Sequence, residues 1–132
     1  MFIDTSAVVA VLADEPGADR FIDRLAQDGE KITAPHVRLE CSMILARVLG
    51  LEVEDAERLF DEFLIEAGIE VVAITDAIGR KAVQAFARFG KGRGHPAQLN
   101  FGDCLSYACA LEYAASLLFK GADFAQTDLQ AA

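Results

Sequence analysis

Three aspartates of this chain stand next to segments that predict either a buried strand or the start of a helix. Asp4 ends the short apolar segment "MFID", Asp103 follows the glycine-rich segment 90–102, and Asp123 comes shortly after the apolar "LLF". In open α/β sheets, ligands bind beyond the carboxyl ends of the strands. We therefore expect these carboxylates to reach one rim of a sheet. The structural alternative for Asp4 and Asp103 is helix capping, a common use of Asp at the start of a helix.

A fourth acid, Glu40, lies inside the predicted helix "APHVRLECSMILARVLG", away from both ends. At helical spacing, the residues on the same face of the helix as Glu40 are Val37, Met43, Ile44, Arg47 and Val48. A carboxylate on such an apolar stripe costs roughly several kcal/mol if it stays unpaired, so it needs a cation or a proton. Arg47 is one candidate partner, and a bound metal ion is the other.

Four like charges at one rim predict a divalent cation between them. Neighbouring carboxylates raise one another's pKa unless a cation neutralises them. Oxygen ligands suit Mg²⁺ or Mn²⁺ and not zinc. Such ions hydrolyse phosphodiesters by activating a water and by stabilising the leaving oxygen. The four acids Asp4, Glu40, Asp103 and Asp123 are accordingly our candidate metal-binding and catalytic residues.

The elements that must position these acids alternate between strand and helix. The strand candidates are "MFID", "KIT", "IEVVAIT" and "SLLFKG", and helical patterns separate them. This order predicts an α/β domain with a parallel sheet covered by helices on both faces. No repeat or linker divides the chain, so residues 1–132 are expected to form one domain.

The charge balance is acidic, with 21 acids, 12 bases and a net charge of −9. The overall field therefore does not attract nucleic acid, because phosphate contacts need cations. Acids are concentrated in 52–70, which we interpret as a solvated helix face. Bases are concentrated in 80–93 and continue into the glycine-rich "GKGRGHP". We expect this flexible loop to hold the phosphates that flank the cleaved bond, through Lys91, Arg93 and His95.

Cysteine usage and hydropathy indicate a reducing, aqueous compartment. Cys41, Cys104 and Cys109 lie in apolar segments without the CxxC or CxxH spacing of zinc sites, and we expect buried thiols. No apolar run approaches the ~20 residues of a membrane span, and no secretory leader pattern is visible. We expect a cytoplasmic protein that does not contact membranes.

Four segments of the chain resemble the PIN-domain ribonucleases, in particular the VapC-like toxins of type II toxin–antitoxin pairs. The similar segments are "FIDTSAVVAVL", "LECSMIL", "LNFGDCLSYA" and "LLFKGADFAQTDL", and they span nearly the whole chain. The resemblance implies a three-layer α/β/α domain with a central parallel sheet. It also implies a divalent-metal-dependent endoribonuclease that acts as the toxin of the pair.

The resemblance also assigns roles to individual residues. Asp4, Glu40 and Asp103 match the family's metal-binding acids, and Asp123 matches the usual fourth acid, with Asp128 close enough to compete. Ser6 matches a hydroxyl position that supports the site, although a serine in a first helical turn is also a common cap. The implied partners are RNA and a cognate antitoxin, and family members tend to form homodimers.

Three other classes of function can be compared with this interpretation. An aspartate-nucleophile phosphatase needs a second Asp two residues after the first, where this chain has Ser6. A dinucleotide-binding domain needs G-x-G-x-x-G after the first strand, and "DTSAVV" lacks it. A PIN-like module that binds RNA or protein without cutting remains as the alternative, although such a module gains nothing from a set of unneutralised carboxylates.

Overall fold

A computed structural model describes the whole chain, residues 1–132. Four short strands form one parallel sheet in the order β3-β2-β1-β4. Their bounds are β1 Phe2–Ile3, β2 Lys31–Thr33, β3 Ile69–Val71 and β4 Leu117–Leu118. Six helices flank the sheet, so the predicted three-layer α/β/α fold is confirmed.

The helices occupy the segments between the strands, as the alternating pattern predicts. They are α1 Thr5–Leu12, α2 Ala18–Leu25, α3 Pro35–Leu49, α4 Val53–Ala67, α5 Asp76–Phe89 and α6 Phe101–Glu112. A short 3₁₀ helix, Phe124–Gln126, lies near the carboxyl terminus. Gly50 and Gly68 end α3 and α4 in the left-handed conformation, which a glycine adopts without strain. None of these helices is long and apolar enough to cross a membrane.

The core is formed by the strands and the inner faces of the helices. Both residues of the central strand β1 are fully buried, and α4 contributes an apolar stripe through Ala56, Phe60 and Phe63. The opposite face of α4 is acidic and largely exposed, as expected. The three cysteines are free and buried, as expected.

Three of the four predicted strands are shorter in the structure, and the longest of them changes most. The β-branched run "IEVVAIT" forms only β3, an edge strand whose single neighbour is β2. The backbone N–H of Val72 still donates to Thr33 O at 2.8 Å, after which the chain leaves the sheet. Thr75 then accepts a hydrogen bond from Ile78 N with its side chain and caps α5. A capping threonine and a strand threonine look alike in sequence, because Thr favours both positions.

The strand order creates a crevice beside the central strand. The chain lays β2 and β3 on one side of β1 and then returns to place β4 on the other side. A reversal of this kind leaves a crevice at the carboxyl ends of the strands, where α/β proteins bind ligands. Asp4 leaves β1 at that crevice, and its N–H donates to Leu118 O of β4 at 3.0 Å.

The end of β1 is also held by a buried side chain. Thr33 Oγ1 donates to Ile3 O at 2.9 Å, and Thr33 is fully buried. Ile3 directly precedes Asp4, so this bond helps to fix the backbone from which the Asp4 carboxylate projects.

We expect Thr33→Val to lower the free energy of unfolding by about 1–3 kcal/mol, because it removes a buried donor and leaves Ile3 O without that partner. Urea denaturation of the two proteins measures the difference. Thr33→Ser is the control, since it keeps the hydroxyl and should be the milder change. Equal losses for both variants would contradict a role for the hydrogen bond.

Candidate active site

An open cleft of about 450 Å³ lies at the carboxyl ends of β1 and β4. Three of the four predicted acids, Asp4, Glu40 and Asp103, line this cleft together. They come from three different places in the chain: the end of β1, the middle of α3 and the first turn of α6. The expectation that acids distant in sequence meet at one rim is therefore met for these three residues.

Asp4 is the most buried of the three, with 4% of its surface exposed. Its Oδ2 accepts from Ser6 N at 3.0 Å and from Ser6 Oγ at 2.6 Å, so Asp4 caps α1 as the structural alternative predicts. Ser6 Oγ in turn accepts from Lys120 N at 2.9 Å. Ser6 therefore links Asp4 to the residue that follows β4, a contact that suits its predicted supporting role.

Glu40 is held by Thr5, not by the predicted candidate Arg47. Thr5 Oγ1 donates to Glu40 Oε1 at 2.8 Å, whereas Arg47 is exposed and forms no ion pair. The predicted apolar stripe is only partly present, because Met43 and Val48 are exposed. Burial raises the pKa of Glu40, the hydrogen bond from Thr5 opposes this, and the Asp4 charge raises the pKa further.

Gly102 provides the close approach between α3 and α6 at this point. A Cβ at position 102 would overlap the carboxylate of Glu40. The first turn of α6 thus leaves space for that carboxylate only because it carries no side chain there. This contact brings Glu40 near Asp103, the next residue along α6.

Asp103 does not cap its helix alone, which corrects the prediction. The helix α6 begins at Phe101 with Asn100 as its N-cap, and Asp103 is the third helical residue. The side chain of Asn100 accepts from Asp103 N at 2.9 Å, while Asp103 Oδ2 accepts from Asn100 N at 3.1 Å, a reciprocal capping box. Burial raises the pKa of Asp103 to about 6. The Asn100 bond lowers it, and the charges of Asp4, Asp123 and Glu40 raise it.

The two candidates for a fourth acid have different surroundings in the structure. Asp123 is exposed, does not line the cleft and makes no hydrogen bond with its side chain, but its charge contributes to the raised pKa of Asp103. Asp128 instead accepts from Tyr107 OH at 2.5 Å and from Arg88 at 3.3 Å. These contacts bind Asp128 to α5 and α6, so Asp123 is the acid that is electrostatically coupled to the cleft.

The predicted RNA-binding loop lies outside the cleft. Its base is closed by hydrogen bonds of 2.8 Å from Lys91 N to Leu99 O and from Leu99 N to Phe89 O. The side chains of Lys91 and Arg93 are exposed. The ring of His95 packs edge-on against Phe89 and accepts from Ala97 N at 3.0 Å, which gives it a structural contact.

Four polar residues that the sequence analysis did not identify also line the cleft: Thr5, Glu15, Asn100 and Lys120. The spacing of Asn100 and Asp103 matches a capping box and could have revealed the first. Glu15 and Lys120 are 105 positions apart and carry no local signal. They become neighbours only because β4 pairs with β1.

The donor chemistry of the cleft fits a hard divalent cation. Asp4, Glu40 and Asp103 each have one oxygen held by a protein donor, and the other carboxylate oxygen makes no hydrogen bond within the protein. In this arrangement no three acidic, histidine or cysteine side chains are grouped closely enough to hold one ion. An ion would therefore have to draw the carboxylates together by rotation of their side chains.

Comparisons with known proteins identify a family for this chain and proteins that share its fold. The family model described as PIN domain matches residues 1–129. Ribonuclease VapC28 of Mycobacterium tuberculosis is 42% identical over 132 residues, which cover 100% of this chain and 97% of the relative. A VapC ribonuclease of Rhizobium meliloti is 39% identical over 139 residues, covering 97% and 98% of the two chains.

Two solved structures have similar folds. VapC20 of Mycobacterium tuberculosis, described as a sarcin-ricin loop cleaving toxin, aligns with a TM-score of 0.77 and 19% identity, covering 99% of this chain and 97% of that one. A chain of a toxin–antitoxin complex from Klebsiella pneumoniae aligns with a TM-score of 0.67 and 14% identity, covering 94% and 89%.

The family model and the relatives therefore match nearly the whole length of this parallel-sheet domain, including the residues of its carboxylate cleft. The chain belongs to the PIN-domain family, among the VapC ribonucleases. The predicted family and the predicted class of enzyme, an endoribonuclease, are confirmed.

The raised pKa of Asp103 predicts a pH-dependent stability in the presence of EDTA. The folded state disfavours the charged carboxylate, so the stability that this group contributes is present below its usual pKa of 3.8 and is lost as pH rises through about 6. We expect Asp103→Asn to gain stability relative to the wild type between pH 4 and pH 7. Urea denaturation across this range measures the difference.

Asp128→Asn is the matched control. The hydrogen bond from Tyr107 lowers the pKa of Asp128, so its stabilising contribution is lost as pH falls. The control should therefore be less stable than the wild type by a nearly constant amount from about pH 5 to pH 7, because its contribution changes only below the usual pKa of 3.8. The same slope for both variants would rule out like-charge repulsion and burial as the cause.

Proposed function

We propose that this ribonuclease hydrolyses RNA phosphodiester bonds with a divalent cation, Mg²⁺ or Mn²⁺, held by Asp4, Glu40 and Asp103. Asp123 supplies the fourth carboxylate at the edge of the same site. The observation that carries this proposal is the convergence of three carboxylates in one cleft, each with an oxygen that has no partner in the protein.

A divalent ion at this position would supply Lewis-acid chemistry, activating the attacking water and stabilising the leaving oxygen. The residues of the chain hold the carboxylates in place for it. Thr5 orients Glu40, and the main chain of Asn100 orients Asp103. Ser6, itself bonded to Lys120 N, orients Asp4. Each donor occupies one carboxylate oxygen and leaves the other for the ion.

The charge of the cleft argues against a module that only binds. Burial and the neighbouring acids raise the pKa of Asp103 to about 6, so the unneutralised site destabilises the folded chain near neutral pH. A binding module has no use for this repulsion, whereas a metal-dependent nuclease relieves it when the ion binds. The acids therefore favour hydrolysis over binding alone.

The proposed biological role is that of a toxin in a toxin–antitoxin pair. Curated relatives at about 40% identity are VapC ribonucleases, and one structural neighbour belongs to a toxin–antitoxin complex. An antitoxin segment that carries a basic side chain would suit the acidic cleft. A homodimer, a cytoplasmic location and a single domain over residues 1–132 complete the proposal.

We expect Asp4→Asn to abolish metal-dependent cleavage while the protein stays folded, because the side-chain oxygen of Asn still accepts the Ser6 bonds but lacks the charge. Cleavage of a mixed RNA pool with Mn²⁺ or Mg²⁺ measures this, with EDTA as the metal-free control. Mn²⁺ should also raise the melting temperature of the wild type more than that of the variant. Cleavage that persists in EDTA or in the variant would place the chemistry elsewhere.

The basic loop generates a separate prediction. If Lys91 and Arg93 hold flanking phosphates, the double change to Ala should weaken RNA binding and reduce the slope of log K against log salt by about 1.4, or 0.7 for each lost phosphate contact on a single strand. Arg80→Ala is the control, because Arg80 is paired with Asp76 on the outer face of α5. An unchanged slope for the double variant would mean that RNA enters by another route.

A further inference from the structure

Lys120 is the one cationic side chain that lines the cleft. It follows β4, and its Nζ lies 3.0 Å from Oε1 of Glu15, which also lines the cleft. Its ammonium makes no ion pair with Asp4, Glu40 or Asp103. Lys120 therefore lies beside the three carboxylates without neutralising any of them.

The backbone of Lys120 is fixed relative to the site. Its N–H donates to Ser6 Oγ, which donates to Asp4 Oδ2 at 2.6 Å. The four-carbon side chain can therefore move only about an anchored Cα next to the cleft. A lysine ammonium on such a stem is a mobile point charge that suits a phosphate.

Incoming RNA faces a cleft with four carboxylates and a single ammonium group. A phosphate is repelled by Asp4, Glu15, Glu40 and Asp103, and among the lining side chains only Lys120 attracts it. The exposed bases Lys91 and Arg93 do not line this cleft. The phosphates nearest the proposed reaction thus have one protein cation available.

The ion pair between Lys120 and Glu15 is partly exposed, with 35% and 37% of the two side chains accessible. Ion pairs in contact with water are weak and exchange readily. We propose that Lys120 binds an RNA phosphate beside the scissile bond, and that Glu15 competes with the RNA for its ammonium in the free protein. This inference rests on the proposed ribonuclease function, and it assigns to that function a substrate-binding residue and an internal competitor.

Opposite substitutions test the competition. Lys120→Gln should raise the KM for a cleaved RNA about tenfold, the loss expected for one charge-assisted hydrogen bond. Glu15→Gln should lower the KM severalfold, because it removes both a repelling charge and the competitor. Lys120→Arg should restore most of the affinity, since it keeps the cation. The salt dependence of RNA binding should weaken in Lys120→Gln and not in Glu15→Gln.

The ion pair between Lys81 and Glu112 is the matched control, because its side chains are similarly exposed, at 37% and 33%, and it lies between α5 and α6, away from the cleft. Lys81→Gln should leave the KM unchanged. If Lys120 and Glu15 only fasten β4 to the segment after α1, both cleft variants would impair the enzyme in the same direction. That result would overturn the inference.

Fluorescence anisotropy of the same RNA in EDTA separates this inference from the proposed function. Suppose that the wild type cuts RNA with metal and that both cleft variants have the wild-type KM. That result refutes the inference and leaves the proposed nuclease function standing. A wild type that cuts no RNA, together with opposite affinity changes in anisotropy, refutes the nuclease and keeps the phosphate site. Unchanged affinity in both variants refutes the phosphate site in either case.

Discussion

Repulsion among the carboxylates at the carboxyl end of β1 is the constraint on which the rest of this site depends. The fold brings Asp4, Glu40 and Asp103 into one cleft, and burial together with the neighbouring acids raises the pKa of Asp103. A protein tolerates such a cluster only where each member has donors and where the fold is stabilised elsewhere. Here each acid has its own donor within a few residues or on a neighbouring helix.

Some of these donors are close to their acid in the sequence, and others come from a distant part of the chain. Asp4 and Asp103 are held by the caps of their own helices, so their local geometry follows from a few adjacent residues. Glu40 has no local partner and depends on Thr5 from α1 and on the absence of a side chain at Gly102. The site is thus positioned by the first turns of two helices and by one tight contact between helices.

The same arrangement explains how an acidic protein can act on a polyanion. The net charge of −9 offers RNA no general attraction, and the acidic face of α4 adds to the repulsion. The proposed function supplies cations locally, through a divalent ion at the carboxylates and through Lys120 in the cleft.

The sequence by itself determined the element types, the parallel α/β class, the buried free cysteines and three of the four acids predicted at the rim. The spacing of apolar residues, the glycines that end helices and the capping residues are local signals, so they can be recognised without the fold. The sequence misplaced the start of α6 by assigning the cap to Asp103, and of the two partners that it offered for Glu40, Arg47 forms no ion pair. Only the tertiary structure decided that Thr5 holds Glu40, that Asp123 and not Asp128 is coupled to the cleft, and that Lys120 meets Glu15. These contacts join residues up to 105 positions apart, and the order of strands around β1, which no local pattern encodes, brings them together.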